Sequence, residues 1–133
     1  MKRVSRVEVE EFFTSQLAEW EMAADSFDAL KHVKMKTLKV GDATFKVQFN
    51  PARIRSSAAK TDAASLKARK CFLCDENRPA LQSSLPWDEN YKILVNPYPI
   101  FPKHLTVPCC SHTPQTIGGR MCHMMQLAQV LDD

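Results

Sequence analysis

Two thiols and an imidazole carry the first chemical signal in this chain of 133 residues. Cys71-Phe72-Leu73-Cys74 sets two sulfurs two residues apart, and Cys109-Cys110-Ser111-His112 adds donors downstream. A Cys-x-x-Cys turn brings both sulfurs within reach of one tetrahedral ion, and a later histidine can supply a third ligand. Thiolate and imidazole together suit Zn²⁺. Cys71, Cys74 and His112 are the candidate metal ligands, with Cys109 or Cys110 able to close a four-ligand site. Two plainer readings stand beside this one, free thiols in a turn and a redox dithiol. The pair lacks the βαβ surroundings of thioredoxin-like motifs, which counts against redox chemistry.

A second group of residues has phosphate chemistry. Between residues 50 and 70 six bases (Arg53, Arg55, Lys60, Lys67, Arg69, Lys70) face one acid, Asp62, a local charge of +5 in a chain of net +3. Arg53, Arg55 and Lys60 are candidate phosphate contacts, since guanidinium offers paired planar donors. A solvated basic loop is the plainer alternative. A basic loop on a near-neutral protein fits a small phosphorylated ligand better than nucleic acid. Asn96-Pro97 opens a proline-rich turn through Phe101. On its own the dipeptide is an ordinary turn starter.

Several elements must position these groups. Ser5-Arg6-Val7-Glu8 has the form of a capping box. Phe13, Leu17, Trp20 and Ala24 then recur at helical spacing, predicting one helix from about Val7 to Leu30. Its wet face would carry the acids Glu8, Glu10, Glu11, Glu19, Glu21, Asp25 and Asp28. Val33–Val40 and Ala43–Phe49 flank Gly41-Asp42, a type II′ hairpin with Ala43, Phe45, Val47 and Phe49 on one face. Asp62 caps a short helix from Ala63 to Arg69. Tyr91–Val95 is a strand, and His104–Val107 pairs with it. Thr113-Pro114 opens a last helix with Ile117, Met121, Met124, Ala128 and Leu131 on its apolar side. The second strand pair leaves an open edge, which a homodimer or a further C-terminal segment would cover.

Composition sets limits. The length suits one domain with its own core. No apolar run reaches membrane-span length, and Met1-Lys2-Arg3 is not followed by the apolar stretch of a signal peptide. The expected location is cytoplasmic. Five cysteines, an odd number, suggest reduced thiols or metal ligands rather than a disulfide framework.

The segment 91 to 112 resembles the histidine-triad and galactose-1-phosphate uridylyltransferase superfamily. The resemblance rests on Leu94-Val95-Asn96-Pro97-Tyr98-Pro99-Ile100, then Pro102-Lys103-His104-Leu105-Thr106-Val107-Pro108, then His112. Gln48-Phe49-Asn50-Pro51-Ala52-Arg53 is similar to the Gln-x-Asn-x-x-Arg stretch of the GDP-hexose phosphorylase branch and its bacterial relatives of unassigned role. The resemblance covers roughly residues 43 to 131.

It implies an α+β, partial histidine-triad-like domain over 1–133, with an N-terminal helix (1–31), a hairpin (32–50) and a metal and nucleotide half (71–131). It implies nucleotidyltransferase or phosphorylase chemistry through a nucleotidyl-His intermediate, on a nucleoside diphosphate sugar or a dinucleoside polyphosphate. Asn96, Pro97, Phe101, Arg53, Arg55 and Lys60 would bind the nucleotide. Zinc would sit on Cys71, Cys74 and His112, its fourth ligand lying beyond the chain. His104 would be structural.

The family's His-x-His run is missing. His32, His104, His112 and His123 include no two that are two apart. No catalytic residue is therefore assigned, and the chain is expected to be inactive alone. The alternative is a non-enzymatic, zinc-stabilised interaction module. An RNA-binding role lacks stacking aromatics in the basic loop, so no nucleic-acid or membrane partner is expected.

Overall fold

The computed structural model describes residues 4–132; Met1-Lys2-Arg3 and Asp133 lie outside them. It is an α+β fold with two small antiparallel sheets and packed helices. Helix α1 spans Arg6–Glu19 and α2 spans Glu21–Ala29. Strands β1 (Lys34–Val40) and β2 (Ala43–Phe49) form the first sheet. Two short helices follow, α3 (Ile54–Ser57) and α4 (Ala63–Ala68). The second sheet has the order β3 (Leu85–Pro86), β4 (Lys92–Val95), β5 (Leu105–Thr106), and α5 (Met121–Asp132) closes the described fold.

The start of α1 follows from its sequence. Ser5 accepts from the Glu8 backbone N–H, and the Glu8 carboxylate accepts from the Ser5 N–H at 2.8 Å. The single helix expected from Val7 to Leu30 is in fact two. Trp20 leaves helical geometry (φ −124°, ψ 88°) and buries its indole, at 3% exposure. Apolar spacing runs across this break because the two helices fold onto each other, with Phe13 against Phe27 edge-to-face at 5.0 Å.

The core lies between the second sheet and the helices α1 and α5. Val4, Val9, Trp87, Tyr91 and Ile93 form its centre, joined by Phe12, Leu105, Leu127, Val130 and Leu131. All four residues of β4 are buried, one of them Lys92. Gln16, 1% exposed, donates to the Leu81 carbonyl and accepts from the Ser83 N–H, which ties the loop before β3 to α1.

The last helix starts later than Thr113-Pro114 suggests. Residues 113–117 are irregular, Gly118 follows, and Gly119 sits at φ 75°, a left-handed value that interrupts a helix. The helix begins at Met121. Its packed side is Leu127, Val130 and Leu131, while Ile117, Met121 and Met124 are exposed. Only Leu131 of the expected stripe packs on that core.

The β1–β2 hairpin has the expected register, with Val40 paired to Ala43. Gly41 has φ 59°, and Lys103 is the only non-glycine with positive φ among the described residues, so the turn is type II′. Apart from Gln48, every residue of both strands is exposed.

Candidate metal centre

Two segments bring the thiols and the imidazole together. The Cys71–Cys74 turn is closed by a bond from the Cys74 N–H to the Cys71 carbonyl at 3.3 Å. Asn77 braces it, its amide donating to the same carbonyl at 3.0 Å. The Asn77 and Arg78 N–H groups both donate to the Cys74 carbonyl. The third donor arrives from beyond β5. There the Lys92 N–H donates to the Pro108 carbonyl, and the Cys110 N–H to the Asn90 carbonyl. These bonds extend the β4–β5 pairing and leave His112 over the Cys-x-x-Cys turn.

The Sγ atoms of Cys71 and Cys74 and a ring nitrogen of His112 all lie within 4.8 Å of one another. The Cys74 Sγ to His112 Nδ1 distance is 3.3 Å. Donors that bind one Zn²⁺ at about 2.0–2.3 Å stand at such separations, so these residues fit a metal ion. Cys109 does not complete the set. Its Sγ faces the Arg120 guanidinium at 2.6 Å instead, and Cys110 is exposed and outside the group.

The two thiols titrate apart. The Leu73 backbone N–H, the largest cause, draws the Cys71 thiol below its ordinary value, with help from Cys74 and His112. Cys74 is pushed up, chiefly by its hydrogen bond to Cys71.

Beside the turn lies a charge cluster of Lys92, Asp75 and Arg78. The buried Lys92 reaches Asp75 at 2.5 Å, and Arg78 reaches the same carboxylate at 2.8 Å. The Lys92 contact is the main cause holding the Asp75 carboxyl below its ordinary value. A lysine inside the apolar run Tyr91–Val95 was the available signal, because a buried ammonium requires a partner.

A family model for a domain of unknown function, DUF4922, matches residues 12–133. The chain belongs to the DUF4922 family. No curated protein and no solved structure matches it. In this DUF4922 chain, no helix among the described residues is long and apolar enough to cross a membrane.

The expected nucleotide residues are partly gathered. Arg53 Nε donates to the Tyr98 carbonyl at 3.2 Å, and Gln48 Nε2 to the Ile100 carbonyl at 3.0 Å. Asn96 Oδ1 accepts from the Tyr98 N–H, and its amide nitrogen is 3.5 Å from His104 Nε2. Phe101 stacks on His104 at 4.2 Å. Burial, with Arg53 nearby, lowers the His104 pKa. Its Nδ1 accepts from the Ile100 N–H, a turn-building role. Pro97 lies in the same turn. The side chains of Arg55 and Lys60 make no hydrogen bond or ion pair among the described residues; the Lys60 carbonyl accepts from Arg69. They stay outside the gathered group.

Proposed function

We propose that this DUF4922 chain is a zinc-stabilised binding module that works without catalysis of its own. The convergence of Cys71, Cys74 and His112 from two separate segments carries this reading. A metal held there clamps the turn at 71–78 to the segment after β5, on either side of β4. Reduced thiols suit a cytoplasmic setting.

Cobalt(II) titration tests the reading. One equivalent is expected to give thiolate-to-metal charge transfer and the intense d–d bands of a tetrahedral site. Affinity rises with pH, since a thiol must lose its proton to bind metal. Calorimetry in buffers of different ionisation enthalpy should show protons released from the thiols. Spectra lacking charge transfer, or binding indifferent to pH, would refute it.

A second reading, nucleotide binding at the turn 96–104, is favoured by the approach of Arg53 and Gln48 to that turn. Histidine-triad-like phosphorylase ancestry belongs with this reading. GDP is expected to bind, and Arg53→Ala to weaken it about tenfold by removing a charge-assisted donor. GDP-glucose with phosphate gives no turnover, as the His-x-His run is lacking. Absence of GDP binding by calorimetry removes this reading and leaves the metal module standing.

A further inference from the structure

We infer that the β1–β2 hairpin is an arm that docks on the acidic α1–α2 surface of a second copy of this chain, each copy giving and receiving one arm. The hairpin register puts Lys34, Lys36, Leu38 and Val40 on one face with Ala43, Phe45, Val47 and Phe49. Phe45 is 53% exposed and Phe49 61%. Gln48 makes the hairpin's one side-chain hydrogen bond to the remainder of the described residues. An isolated two-stranded hairpin is marginal in water, so this apolar face calls for a cover.

Charge identifies the cover. Lys34, Lys36, Lys39 and Lys46 against Asp42 give the hairpin +3. None of these lysines has an ion pair among the described residues. On α1 and α2, Glu11, Glu19, Glu21 and Asp25 are exposed and equally unpaired, next to the exposed Met22. Among the described residues, no hydrogen bond or ion pair joins the hairpin to these helices. Two copies related by a two-fold axis satisfy both surfaces at once.

Area favours the reciprocal arrangement. Seven residues per strand give a face about 23 Å long and about 10 Å wide, roughly 230 Å². Two arms and two receiving surfaces bury on the order of 1,000 Å², the threshold for a specific interface, whereas one contact buries half as much.

Sedimentation velocity of the full chain from about 5 to about 200 μM tests this. The expected result is a dimer with a dissociation constant on the order of 10 μM. It should weaken at least about tenfold in ~1 M NaCl. Lys34→Glu with Lys36→Glu, and separately Glu21→Lys with Asp25→Lys, should each give monomers. Mixed, the two variants should form a heterodimer, because both contacts again pair opposite charges. All four positions are exposed, and circular dichroism verifies that each variant is folded. A wild-type monomer throughout this range, dimers unaffected by either reversal, or a mixture that stays monomeric overturns the proposal. Loss of the dimer in Phe45→Ala but in neither charge variant overturns it too, and indicates hairpin-on-hairpin stacking.

Discussion

Chelation of the purified chain with EDTA is expected to lower its melting temperature by about 10 °C, and zinc to restore it. The ion would join the turn at 71–78 to the segment that ends at His112. Both segments are short and irregular; the later one is held to β4 by backbone bonds, and the turn meets β4 through the Lys92–Asp75 ion pair. The fully buried apolar core is small, with nine residues among those described. A metal cross-link between the two segments would therefore supply a large share of the net stability. Cys71→Ser, Cys74→Ser and His112→Ala should each abolish the response to chelator and begin from the lowered melting point. Identical melting with and without EDTA, in a preparation shown to contain stoichiometric zinc, would sink the metal-braced reading.

Ile93→Ala should cost about 3 kcal/mol, measured by urea unfolding. Ile93 is fully buried at the middle of the central strand, where β3 and β5 pair on either side and α1 and α5 pack over the sheet. Deleting its outer carbons leaves a cavity that three elements would have to move to fill. Leu66→Ala removes as much apolar volume from an exposed position on α4, and should cost under about 1 kcal/mol. Equal costs at the two sites would contradict β4 as the centre of the core.

The legible parts of this fold are those whose signals are local. Ser5 and Glu8 lie within one helical turn, so their reciprocal capping is written in four residues. The hairpin was legible because Gly41 supplies the positive φ and period-two alternation flanks it on the β2 side. The Cys71, Cys74 and His112 cluster was legible from residue type, since few arrangements suit two thiols and an imidazole so spaced.

The illegible parts are tertiary. The break at Trp20 leaves the helical spacing of apolar residues undisturbed, because both helices bury the same side. Pro114 fits a first helical turn, yet Gly118 and Gly119 defer the helix to Met121. Cys109 was a reasonable fourth ligand until Arg120, eleven residues away, claimed its sulfur. That the β2 apolar face goes uncovered within the described chain could not be read from its alternation, which states only that one side is apolar.

Strand β4 has one more consequence. Four residues span about 13 Å. At one end Lys92 grips the carboxylate next to Cys74, and at the other Val95 leads straight into Asn96 and the proline turn. A rod so short and so tightly packed has no slack. Its buried length therefore fixes the separation of the Cys71–Cys74 turn from the proline turn.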